Sequence, residues 1–79
     1  MNTDDQRNVI CGGDPDNYIK AYFKGLYFDL DDNDEIKILF LKEKFPFSRE
    51  KFSDMAAHTK LSLTSYSENG TDIEIIIKK

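Results

Sequence analysis

Residues 19–30 read IKAYFKGLYFDL, and how they divide decides the fold. Up to Gly25 the spacing is helical. Ile19, Tyr22 and Phe23 fall at i, i+3 and i+4, and Leu26 continues the stripe. From Leu26 onward a strand also fits, because Leu26, Phe28 and Leu30 alternate. Upstream, Asp14 can cap a helix, Pro15 suits the first helical position, and Asp16 adds charge that favours a helix N-terminus. Gly25 fits the left-handed position at which helices end. These signals predict a helix over 14–25 and a strand that begins at Leu26. A rival reading makes 17–30 one long strand, since Tyr and Phe favour strands. The Asp-Pro start and the Gly stop decide against it.

Working outward, Ile36, Ile38 and Phe40 alternate like a second strand. A hairpin that buries both apolar sets on one face needs an odd-numbered tip. Asp32-Asn33-Asp34 supplies it, with Asn33 or Asp34 in the left-handed conformation. A second helix follows in FPFSREKFSDMAAHTK, where Ser48 is the expected N-cap and Phe47 can staple onto Phe52. Phe52, Met55, Ala56 and Thr59 keep helical spacing. The last segment, LSLTSYSENGTDIEIIIKK, reads as a hairpin at Asn69-Gly70. A three-residue loop over 68–70 aligns Leu61 and Leu63 with Ile73, Ile75 and Ile77, with Gly70 at a bulge. The expectation is therefore a two-layer α+β sandwich, αββαββ, with both helices on one face of an antiparallel sheet. A short strand in RNVIC can precede it, and residues 1–6 are expected to be flexible.

A chain of 79 residues suits one small domain, and 39% hydrophobic content with ten aromatics is enough for a core. The net charge is −4 and unevenly spread. Residues 1–35 hold nine acids against Arg7, Lys20 and Lys24, whereas residues 36–79 hold six acids against eight bases. Direct nucleic-acid binding is disfavoured, because a phosphate-binding face needs clustered Lys and Arg. The single cysteine, Cys11, has no second thiol to pair with, which argues for a reducing compartment. The segment MNTDDQRN has neither a basic nor an apolar leader region, and no run approaches a membrane span. A cytoplasmic protein without membrane insertion is the expectation.

The candidates for chemistry are thin. Cys11 in ICGGDPDNY stands before a helix start that could activate a thiol. Asp14 and Asp16 oppose a thiolate there, and His58, the only histidine, falls off the apolar stripe of its own helix. The same segment lacks the Lys of a phosphate-binding loop. DLDDNDE places Asp29, Asp31 and Asn33 at calcium-loop spacing, but Asp34 stands where such a loop needs Gly and Phe40 where it needs Glu. No catalytic residue, metal ligand set or cofactor is expected, and the chain reads as a non-enzyme.

What remains is a binding surface. With the parities above, Tyr27, Asp29, Lys37, Leu39, Leu41, Thr64, Tyr66, Glu74 and Ile76 point away from the helices. Tyr27, Leu39, Leu41, Tyr66 and Ile76 would form an apolar patch rimmed by charge, as partner surfaces often do. Asp29, Asp31, Asp32, Asp34 and Glu35 would form an acidic edge able to steer a basic protein partner. The expectation is a small acidic protein that binds and modulates or inhibits a protein, of the type that phages make in taking over a host. A homodimer is compatible with it. The alternatives are a DNA mimic blocking a nucleic-acid-binding protein and a thiol enzyme using Cys11.

Overall fold

A computed structural model describes residues 2–8 and 13–79 of the chain. Six elements follow in order: β1 (Asn2–Asp5), α1 (Pro15–Asp29), β2 (Glu35–Leu41), α2 (Arg49–His58), β3 (Ser62–Asn69) and β4 (Asp72–Lys78). They form a two-layer α+β sandwich whose sheet runs in the order β1-β2-β4-β3. The pair β1–β2 is parallel, while β2–β4 and β3–β4 are antiparallel. The sheet is thus mixed, not purely antiparallel, and the element order is βαβαββ in place of αββαββ.

The difference originates in residues 26–30. The helix does not stop at Gly25 but runs on to Asp29, with Leu30 as its C-cap. Leu26 is buried alongside Ile19 and Phe23, so the helical stripe continues through the glycine. Burying a leucine contributes about 2 kcal/mol. A glycine inside a helix costs only about 1 kcal/mol relative to alanine, so the helix wins. No strand exists at Leu26–Leu30, and no hairpin joins it to β2. Asn33 does take the left-handed conformation, at φ 71, but it turns the chain from a helix into β2.

The partner that β2 lacks on that side is supplied by β1. Asn2 to Asp5 pair in register with Ile36 to Leu39, so residues expected to be flexible are an edge strand. NTDD carries no apolar alternation, and its anchoring is polar. The Tyr22 hydroxyl donates to Asp4, and the Tyr18 hydroxyl donates to Gln6 Oε1 at 2.8 Å. Of the strand expected in RNVIC, Arg7 and Asn8 lie in a turn, and residues 9–12, Cys11 included, fall outside the described residues.

The second half follows the sequence more closely. Ser48 caps α2, its hydroxyl accepting from the Lys51 N–H at 3.2 Å. Phe47 packs edge-on against Phe52 at 5.7 Å between ring centroids, the expected staple. Phe40, Phe45 and Phe52 meet Ile38, Ile73, Ile75 and Ile77 in the fully buried centre of the core. Both helices contribute to this one cluster and so cover the same sheet face. Asp16 ties them together, meeting Lys51 Nζ at 3.0 Å and Lys20 Nζ at 3.4 Å.

The β3–β4 turn is two residues long, Gly70-Thr71, because Asn69 pairs with Asp72. Gly70 alone in the turn takes positive φ, at 63°, which a glycine first in a tight hairpin turn satisfies. A bulge does occur, but at Thr64 and not at Gly70: Leu63 faces Ile77 while Ser65 faces Ile76. The extra residue keeps Leu63 on the helical side, as expected, and brings Tyr66 to that side as well.

Candidate functional site

The sheet face turned away from the helices is carried by alternate residues of the strands. On β2 these are Lys37, Leu39 and Leu41, and on β4 they are Asp72, Glu74 and Ile76. Leu39, Leu41 and Ile76 are half-buried, and both helices pack on the opposite face. Three of the five apolar residues predicted for this patch are therefore brought together. Their surroundings are ion-paired. Lys37 Nζ lies 3.5 Å from Glu74 Oε1, and Arg7 Nη1 lies 3.1 Å from Asp72 Oδ2. Arg7 also grips Asp5 at 2.8 Å.

In register, Asp5 stands beside Leu39, and Asp72 stands beside Leu41 from the other side. The Arg7 guanidinium thus spans β2 on the face that carries both leucines. The Arg7 side chain and backbone N–H hold the Asp5 carboxyl at about 2, well below the usual carboxylate range.

Two residues predicted for this face are elsewhere. Tyr27 belongs to α1, packs against the core and carries Lys79 Nζ 4.4 Å from its ring centroid. Tyr66 faces the helical layer, 6.0 Å from Phe52 between ring centroids. Its hydroxyl donates to Glu68 Oε1 at 2.8 Å and lies 3.3 Å from the Phe47 carbonyl oxygen. Burial, with the Glu68 carboxylate second, pushes the Tyr66 hydroxyl up to about 12. The first misplacement comes from taking helix for strand, the second from the bulge.

The acidic run sits at the corner where α1 passes into β2. Asp29 closes the helix, Asp31, Asp32 and Asp34 occupy the loop, and Glu35 opens the strand; all five are exposed. The loop is held from inside: Asp34 Oδ2 accepts from the Asp31 N–H at 3.1 Å. Lys79 closes it from outside. Its N–H donates to the Asp34 carbonyl oxygen, and its ammonium donates to the Leu30 carbonyl oxygen at 2.9 Å. Among the described residues none of the five acids is ion-paired, and no group of three potential ligands is arranged to hold a metal ion.

One residue escaped the sequence reading. Phe28 was assigned to the core face of a strand, yet it is 73% exposed, the only large hydrophobic so placed among the described residues. On a helix Phe28 lies nine positions after Ile19, which is about 180° around the axis. Continuing the 19-23-26 stripe past Gly25 would have found it. Phe28 walls a shallow groove between α1 and the end of α2, which Lys24, His58, Thr59 and Lys60 also line. No helix among the described residues is long and apolar enough to cross a membrane.

No protein-family profile matches this chain, and no curated protein matches it.

Proposed function

We propose that the chain is a non-catalytic protein that binds and modulates a protein partner through the sheet face opposite its helices. The observation that supports this reading is the composition of that face. Leu39, Leu41 and Ile76 are half-buried apolar side chains there, interleaved with charge: the Lys37–Glu74 pair runs diagonally between Leu39 and Ile76, and the Arg7 bridge from Asp5 to Asp72 crosses β2 beside the leucines. Apolar side chains combined with polar and charged groups are the usual make-up of a non-obligate protein contact. The face carries both signs, so it selects a partner by register of charge, while the net charge of −4 favours a basic surface over a phosphate backbone.

The test is a pair of capture experiments on the full chain. Wild type and Leu39→Thr/Leu41→Thr are used side by side, since threonine keeps strand propensity while removing apolar area. Captured proteins are identified by mass spectrometry and the binding is reconstituted with the purified partner. A partner held by wild type and by Phe28→Ser, but lost by the folded double variant, supports the reading. Equal affinity for wild type and the double variant sinks it.

A further inference from the structure

The groove beside Phe28 and the acidic corner beyond it are two halves of one surface. Lys24, His58 and Lys60 line the groove with the ring, and the exposed Asp29, Asp31 and Asp32 follow Phe28 in the chain where α1 ends. The ion pairs among the described residues lie elsewhere, so neither the lysines nor the carboxylates flanking Phe28 have an opposite charge within 4.0 Å. A large ring left 73% exposed, with unpaired bases beside it in the groove and unpaired acids following it at the helix end, makes a surface that can be self-complementary under a two-fold rotation. We infer that this surface docks a second copy of the chain.

In that arrangement the two Phe28 rings meet near the axis. Lys24 and Lys60 of each copy face Asp29, Asp31 and Asp32 of the other. Each charge then finds the partner it lacks in the isolated chain, and the ring leaves water. Phe28 belongs to the helical layer, so the contact leaves the opposite sheet faces uncovered. The dimer would thus present two copies of the surface proposed above, although dimerisation itself does not depend on that proposal.

The experiment is sedimentation of the full chain from micromolar to millimolar concentration at low salt, with circular dichroism as the check on folding. Wild type is expected to dimerise. Phe28→Ser is expected to weaken dimerisation by roughly 30-fold or more, as loss of a central aromatic anchor does. Two charge variants complete the test. Lys24→Glu/Lys60→Glu alone and Asp29→Lys/Asp31→Lys/Asp32→Lys alone are expected to stay monomeric, and their equimolar mixture to form a heterodimer. Leu39→Thr/Leu41→Thr should dimerise like wild type. A wild type that remains monomeric to millimolar concentration overturns the inference. So does a mixture of the charge variants that fails to associate, or a Phe28→Ser chain that dimerises as wild type does.

Discussion

Leu63 and Tyr66 are three residues apart on one strand and face the same side of the sheet. Regular alternation would put them on opposite sides; Thr64 is the extra residue that prevents it. The Thr64 hydroxyl lies 3.2 Å from the Ile76 carbonyl oxygen. Deleting Thr64 leaves Leu63 and Tyr66 two residues apart, so that strict alternation keeps Leu63 opposite Ile77 and Tyr66 opposite Ile75 with both on the core side. The deletion is therefore expected to cost less than about 2 kcal/mol in urea unfolding, short of the roughly 3–5 kcal/mol for losing a large core side chain. Thr64→Ala, which keeps the extra residue, should stay within about 0.5 kcal/mol of wild type. A loss of that larger size from the deletion would mean that Leu63 or Tyr66 leaves the core once Thr64 is gone.

The two glycines that the sequence marks as stops behave oppositely. A Cβ on Gly25 meets nothing within 4 Å, and the residue sits in mid-helix without positive φ. Gly25→Ala is therefore expected to stabilise the fold by about 0.5–1 kcal/mol. Gly70 also has open space around it, but its φ of +63° is one that an L side chain rarely adopts. Gly70→Ala should destabilise by about 1 kcal/mol. Thermal unfolding of the pair checks both signs at once.

Phe28 and Phe52 should separate surface from core. Phe52 is fully buried and lies within 6.0 Å of Phe40, Phe47 and Tyr66 between ring centroids. Phe52→Ala is expected to cost about 3–5 kcal/mol, a large part of the stability of so small a domain. Phe28→Ser should change stability by no more than about 0.5 kcal/mol under conditions where the chain is monomeric. A comparable loss at Phe28 would place that ring in the core.

Acid sensitivity follows from the Arg7 bridge. Hydrogen bonding to Arg7 holds Asp5 at about 2, and Asp16 and Glu68 are lowered too, by Lys51 and by Tyr66 with Lys42 respectively. A carboxyl depressed on folding contributes stability that is whole above its unfolded value, roughly pH 4. That contribution is lost as pH falls through the folded value. Unfolding midpoints should therefore fall between about pH 4 and pH 2. In Arg7→Gln, which keeps the backbone N–H bond to Asp5, the Asp5 resonance should titrate higher, toward the ordinary carboxylate range, and the midpoint should fall less steeply. An Asp5 titration unchanged by the substitution would remove Arg7 as its cause.

How much was legible depended on whether one period dominated. α2 announced itself through Ser48, Phe47 and Phe52, because cap and stripe agree. β2 and β4 were equally plain, since their aliphatics alternate without competition. Leu26, Phe28 and Leu30 satisfy two periods at once: i, i+2 along a strand and i, i+4 between the outer pair on a helix. Only the burial of Leu26 under the same cluster as Ile19 and Phe23 decides between them. β1 gave no signal, because NTDD is ordered by Tyr18, Tyr22 and backbone pairing to β2, all distant in sequence. Of the candidate surface, Leu39, Leu41 and Ile76 were readable from parity, whereas Tyr27 and Tyr66 were misplaced by the two irregular features. Phe28 followed from the same misreading of α1.

The strand order β1-β2-β4-β3 puts the last-synthesised strand inside the sheet, with neighbours on both sides. While the ribosome still holds β4, the other three strands make two separate pieces, a parallel pair and a lone ribbon, with no ladder between them. Until β4 is in place, Ile36 and Ile38 of β2 lack Ile77 and Ile75 opposite them, and the two pieces remain unjoined. The sheet therefore closes into one ladder only when β4 joins it.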